Sequence, residues 1–135
     1  MSLEKHYKKL IKIFLRLEIF EVQEGKGQGE KQLLEEAVRV KKAFGGYQRR
    51  VLLDPAGKQS KSEDFARWLG QRLGAGEHIA FAIGSSHGFH GSIKTDMTEH
   101  ISLSSMTFPH DLCRIIFLEQ LYRALNILNS GLYHK

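Results

Sequence analysis

The sequence predicts an α/β domain with a mostly parallel sheet flanked by helices, and three observations predict it. Helical and strand-like apolar patterns alternate along the whole chain. Residues 78–83, His-Ile-Ala-Phe-Ala-Ile, are apolar at successive positions, as a central strand covered by helices on both faces must be. The 135 residues amount to one ordinary domain, residues 1–135, long enough to bury roughly two-thirds of the surface its unfolded chain exposes. In such a sheet ligands sit at the carboxyl ends of the strands.

The first element is an amphipathic helix: Tyr7, Leu10, Ile11 and Phe14 share one face, and Lys5, Lys8, Lys9 and Lys12 share the other. Residues 17–22, LEIFEV, alternate as a strand does, and EGKGQGE at 24–30 is a glycine-rich charged loop. A helix over 31–44 is expected to bury Leu34, Ala37 and Val38, with Gly45 and Gly46 ending it. RRVLLD at 49–54 is a strand that runs into a PAGK turn. Ser60 and Glu63 have capping-box spacing, and Phe65, Trp68, Leu69 and Leu73 follow at helical intervals, predicting a helix over 62–73. After the strand at 78–83 come the loop GSSHGFHG, a short helix within 92–99, a last strand at 100–103 and a long helix starting near Pro109.

Composition narrows the partners. Twenty Lys and Arg against fifteen Asp and Glu give a net charge of +5, which favours an anionic partner. A single cysteine, Cys113, excludes an internal disulfide framework and a cysteine zinc site, and fits a reducing cytoplasm. The start, MSLEKHYKKL, has no apolar signal core, and no stretch approaches the roughly 20 apolar residues that span a bilayer, so a soluble protein away from membranes is expected.

Three motifs that suggest other chemistries are weak. Gly25, Gly27 and Gly29 lie between a strand and a helix, but Glu30 occupies the position where a dinucleotide fingerprint needs its third glycine. His87 and His90 have H-x-x-H spacing with no carboxylate or cysteine nearby in sequence to complete a metal set, so no metal is expected. Cys113 falls on an apolar helix turn with Leu112 and Ile116 and no adjacent base, which describes a core thiol better than a nucleophile.

The last third is more specific. It contains SLSSMTFPH, with Ser102, Leu103, Ser104, Thr107, Pro109 and His110, then Glu119, Leu121, Tyr122, Arg123 and Ala124, and finally Tyr133, His134 and Lys135. These residues closely resemble the carboxyl-terminal signature of the ribosomal RNA large-subunit methyltransferase H family, small SPOUT-class enzymes that read S-L-S-x-x-T-x-P-H, E-x-L-Y-R-A and Y-H-R or Y-H-K. Weaker similarity runs back through IGSSHG at 83–88 and VLLDPAGK at 51–58 to HYKKL near the start.

The resemblance implies a SPOUT-type α/β knot, with the carboxyl-terminal segment tucked through an earlier loop, a topology that ordinary connection rules exclude. It implies a cytoplasmic homodimer that uses S-adenosylmethionine to methylate N3 of a pseudouridine in large-subunit rRNA on the assembled ribosome. The implied cofactor residues are Leu53, Gly84, Ser85, Leu103, Ser104, Ser105, Met106, Thr107 and Phe108. The long last helix is expected at the dimer contact, and the Tyr-His-Lys tail is expected to reach the partner subunit's cofactor.

The implied catalytic residues are His110, Arg123, Tyr133 and His134. His134 or His110 helps remove the N3 proton, since histidine titrates near neutral pH. Arg123, Tyr133, His134 and Lys135 are the expected RNA-binding residues. Two plainer roles stay open: Arg123 can pair with Glu119 four residues back, and His110 can cap the final helix.

The chain departs from the family pattern twice. Its glycine loop is Gly84, Ser85, Ser86, His87, Gly88 in place of Gly-Gly-x-x-Gly, which puts a side chain at Ser85. It also enters its first helix without the opening strand and V-G-K turn of relatives, with Met1 to Leu3 read as a leader or late start, and the missing strand is expected to bare a sheet edge. An active methyltransferase is the expected function. A SPOUT domain that binds rRNA or the ribosome without catalysis, and a SPOUT enzyme with a different RNA target, are the alternatives.

Overall fold

The computed structural model describes residues 2–20, 28–83 and 90–129. In chain order the elements are α1 (Leu3–Ile11), α2 (Glu30–Ala43), β1 (Arg49–Gln59), α3 (Ser62–Gly74), β2 (Ile79–Ile83), α4 (Gly91–Lys94), β3 (Glu99–Ser102) and α5 (His110–Leu128). The three strands form one parallel sheet in the order β2-β1-β3.

Side-chain alternation divides the core into two layers. Leu52 and Ala82 face α2 and α4, packing with Ala37, Phe44 and Ile93. Leu53, Phe81 and Ile101 turn to the other face, against Ala66 and Leu69 of α3 and Phe117, Leu118, Leu121, Ala124 and Leu125 of α5. Ile11 of α1, fully buried, closes that second layer from the side of α5. Four aromatic rings bind α3, β2 and α5 together: Phe81 lies 4.7 Å from Phe117 between ring centroids, and Phe65 and Trp68 flank it at 6.3 and 6.2 Å.

β1 is longer than the expected strand because it meets β3 twice. Leu53 and Lys58 both pair with Ile101, and Gln59 goes on to pair with Ser102. The register therefore shifts between Leu53 and Lys58, and residues 54–57 are an irregular stretch of β1. The expected PAGK turn is this irregularity inside β1, bent by an Asx turn in which the Ala56 N–H donates to Asp54 Oδ1 at 3.0 Å. Gly57 is required there: a Cβ would stand 2.7 Å from the His100 carbonyl carbon.

Several expectations are corrected. Residues 17–20 form no strand, although their pattern is expressed: Leu17 and Ile19 are half-buried against the core while Glu18 and Phe20 face outward. Alternation selects which side chains turn inward but does not supply a ladder partner. In α2, Leu34 and Val38 are 46% and 60% exposed, whereas Gln32 and Ala37 are buried. That helix carries apolar residues on two faces, and the sheet takes the face of Leu33, Ala37, Val40 and Phe44. Ser60 is not a helix cap, because α3 begins at Ser62 behind an extended Lys61. The short helix at 92–99 shrinks to Gly91–Lys94, the last strand ends at Ser102, and Pro109 stands at the N-cap of α5.

Among the described residues no helix is long and apolar enough to cross a membrane. The amino ends of all three strands are tied by Arg49, whose Nε and Nη2 donate to Glu77 at 3.2 and 2.9 Å and whose Nη1 donates to Glu99 at 2.7 Å. Arg49 holds the Glu77 carboxyl below its ordinary range, and its own guanidinium is pushed up in return, chiefly by that hydrogen bond.

Candidate active site

The opposite end of the sheet is open. Where β1 and β3 stop, α3 begins and α5 passes, a cavity of about 180 Å³ opens, lined by Leu53, Phe65, Ile101, Leu103, Ile116 and Phe117 on its apolar side. Ser60, Ser62, Ser102 and Gln120 add polar groups. The strand pleat explains the mixture. Leu53 and Ile101, paired across the sheet, face α5, whereas Ser102, the last residue of β3, turns its hydroxyl to the loop.

That loop carries its own bracing. Ser102 Oγ donates to the Ser104 carbonyl at 2.8 Å, and the Met106 N–H donates to Ser104 Oγ at 3.0 Å. Two such side-chain-to-backbone bonds fold residues 102–106 into a pre-set turn beside the cavity. On the facing wall Ser62 Oγ donates to Gln120 Oε1 at 2.8 Å, Gln120 Nε2 donates to Glu119 Oε2 at 2.9 Å, and Arg123 Nε donates to Glu119 Oε1 at 3.0 Å. A continuous polar chain thus runs from the cavity lip on α3 to Arg123 on α5.

The structure brings together some of the expected site residues and separates others. Leu53 and Leu103 line the same cavity. Ser104 is half-buried in the adjoining turn, Ser105, Met106 and Thr107 are exposed, with Met106 at 74%, and Phe108 is half-buried. Gly84, Ser85, Tyr133, His134 and Lys135 lie outside the described residues.

Arg123 forms the ion pair with Glu119, both side chains being largely shielded. His110 does not cap α5, since Pro109 holds that position and makes no side-chain cap bond. It is instead the first residue of the helix, with Nε2 3.3 Å from Arg114 Nη2, and Arg114 Nη1 donates to Glu4 of α1 at 2.9 Å. His110 and Arg123 stand thirteen residues apart on α5, about 20 Å at 1.5 Å per residue, and on different faces. Within one chain they cannot flank a single small group.

Sequence reasoning missed Ser62, Gln120 and Arg114. The pairing of Ser62 with Gln120 spans 58 residues and leaves no local signal in the sequence. His90 accepts from the Ser92 N–H at 3.1 Å as the cap of α4, and its Nε2 approaches Glu30 at 3.3 Å; His87 lies outside the described residues. Among the described residues no group of three or more His, Cys, Asp or Glu side chains gathers as a metal site would require. The Cys113 thiol is half-buried, and that burial pushes its pKa up, which favours the unreactive protonated form.

The family described as "Predicted SPOUT methyltransferase" matches residues 1–134. Proteins named ribosomal RNA large subunit methyltransferase H are similar to the chain. That of Caldicellulosiruptor saccharolyticus is 37% identical over 135 residues, covering 97% of this chain and 88% of its own length. That of Malacoplasma penetrans is 40% identical over 140 residues, covering 99% and 89%. That of Bacteroides fragilis is 46% identical over 85 residues, covering 62% of this chain and 54% of its own length, so here the chain spans about half of its relative.

Proposed function

Because the chain belongs to the SPOUT methyltransferase family, we propose that it transfers the methyl group of S-adenosylmethionine to N3 of a pseudouridine in large-subunit rRNA. It acts in the cytoplasm, as a homodimer, on the assembled ribosome. The observation that carries this proposal is the near full-length similarity to proteins named ribosomal RNA large subunit methyltransferase H.

The cavity suits the cofactor. Leu53, Leu103 and Phe117 offer apolar walls for a flat adenine, and Ser62, Ser102 and Gln120 offer polar groups for its edge and the ribose. The remaining cofactor residues of this proposal are Gly84, Ser85, Ser104, Ser105, Met106, Thr107 and Phe108. The sulfonium supplies an already electrophilic methyl group, so the protein's tasks are to place the base edge in line, exclude water and remove the N3 proton. His134 or His110 takes that proton, while Arg123, Tyr133 and Lys135 hold phosphate and base.

Two structural features support the finer parts of the proposal. The double pairing of Ile101, with Leu53 and with Lys58, supports a trefoil knot. The distance between His110 and Arg123 supports a site completed by a second chain, whose contact surface would include the exposed Leu112 and Leu128 of α5.

The test is calorimetric titration with S-adenosylmethionine, followed by methyl transfer to ribosomes from a strain lacking the gene. One saturable site per chain, with N3-methylated pseudouridine as product, is the expected result. A folded dimer that binds no cofactor would refute the proposal in favour of a non-catalytic ribosome-binding domain.

A further inference from the structure

The lysine face of α1 is absorbed by nothing above. Lys5, Lys8, Lys9 and Lys12 recur at i, i+3, i+4 and i+7, a single stripe about 10 Å long. Lys5, Lys9 and Lys12 are exposed and Lys8 is half-buried. Residues 2–20 hold five cations against two carboxylates, giving +3 of the chain's +5. Both carboxylates are occupied elsewhere, Glu4 by Arg114 and Glu18 by Arg16 at 2.7 Å, and among the described residues no acid pairs with the four lysines.

Helix formation alone disfavours this pattern. Like charges three and four positions apart repel, and Lys5 sits in the first turn, where the helix dipole opposes a cation. The stripe is also held in a fixed attitude. Its opposite face is anchored to α5 through the buried Ile11 and through Tyr7, whose ring lies 6.3 Å from that of Tyr122. The Glu4–Arg114–His110 chain sets its amino end beside the head of α5, next to the loop at the candidate site.

We infer that the Lys5, Lys8, Lys9 and Lys12 face of α1 is an RNA-backbone contact that seats the ribosomal substrate over the site; this rests on the methyltransferase proposal above. The stripe is long enough to meet two or three successive phosphates of one strand. An anionic membrane fits less well, because Tyr7 and Ile11, in the middle of the apolar face that an interfacial helix would insert into lipid, are packed against α5, and only Leu3, Ile13 and Phe14 at its ends are exposed.

The test replaces Lys5, Lys9 and Lys12 with glutamine, which sustains the helix, and measures binding to purified large ribosomal subunits between 50 and 200 mM salt. The expected result is affinity weaker by about tenfold or more and a plot of log affinity against log salt flatter by about two to three. Cofactor binding and turnover at saturating subunits stay unchanged. Each single substitution should flatten the slope by about one. A charge-matched variant, Lys31, Lys42 and Arg67 to Gln, should lose little.

Unchanged affinity and slope in the α1 variant would overturn the inference, as would an equal loss in the charge-matched variant, which reduces the effect to net charge. Binding of the unaltered protein to phosphatidylserine vesicles as tightly as to subunits, abolished by the same three substitutions, would overturn it in favour of a lipid surface. If the unaltered protein neither binds subunits nor transfers a methyl group to them, the methyltransferase proposal fails and takes this inference with it.

Discussion

Replacing Gly57 with alanine should damage the protein far more than a single methyl group suggests. The new Cβ would stand 2.7 Å from the His100 carbonyl carbon and 2.8 Å from both the His100 oxygen and the Ile101 nitrogen. All three are backbone atoms of β3, held by pairing to Val51, Leu52 and Leu53 and again to Lys58 and Gln59. β3 cannot yield without breaking ladder hydrogen bonds, so relief must come from moving residues 54–57. Overpacking of this kind costs about 1–3 kcal/mol, and the fixed position of β3 sets the expectation at the upper end.

The assay is urea unfolding at fixed protein concentration, since the stability of the proposed dimer depends on it. Gly74→Ala is the control: nothing lies within 4 Å of its Cβ, and alanine at the end of α3 should stabilise by about 0.5–1 kcal/mol. The cofactor affinity of Gly57→Ala should fall as well, because Ser102 ends β3 and begins the braced loop. A Gly57→Ala protein as stable as the unaltered chain would refute the close approach of Gly57 to the β3 backbone.

Leu52→Ala should cost about 2–5 kcal/mol in urea unfolding, because the side chain is fully buried between the sheet and α2. Glu77→Gln should destabilise at neutral pH but not in acid. Its carboxyl lies below the ordinary range in the folded chain, so its contribution is present above the unfolded carboxylate pKa and lost as pH falls through the folded one. Unfolding midpoints for both proteins at pH 7 and pH 3 check this, and a gap that persists at pH 3 contradicts it. Gln120→Leu should leave the fold intact yet lower methyl transfer several-fold, since it cuts the polar chain between Ser62 and Glu119 at a net worth of about 1 kcal/mol. Arg114→Gln should cost roughly 0.5–1 kcal/mol of stability and release His110 Nε2, which nitrogen-15 chemical shifts of the imidazole would register as a change of tautomer.

The sequence showed most of the framework. Periodicity located α3, β2 and α5 to within a residue or two, because each has one apolar pattern with one solution. It failed where a pattern had two solutions or needed a distant partner. The two apolar stripes of α2 left its inward face undetermined, so Leu34 and Val38 were assigned to the core wrongly. Residues 17–20 had the right alternation and no ladder to join. The DPAGK segment reads as a turn yet lies inside β1, and only the position of His100, more than forty residues later, shows why its glycine cannot be anything else.

At the site, the family signature named Leu53 and Leu103, and the fold places both on one cavity. Ser62 and Gln120 were not legible, since their pairing spans 58 residues and leaves no trace in either neighbourhood. The corresponding signals at Arg123 and Glu119 were legible because they are four residues apart on one helix.

The double engagement of β3 also sets a timetable. The ribosome delivers residues 49–59 long before residues 99–102, so β1 must wait for a four-residue strand that is the last of the three and pairs with both of its ends. Leu53, Ser62 and Phe65 of the cavity wall come before that strand, whereas the braced loop and α5 come after it. A pause or truncation before residue 99 therefore leaves one wall of the cavity standing without the strand, loop and helix that complete it.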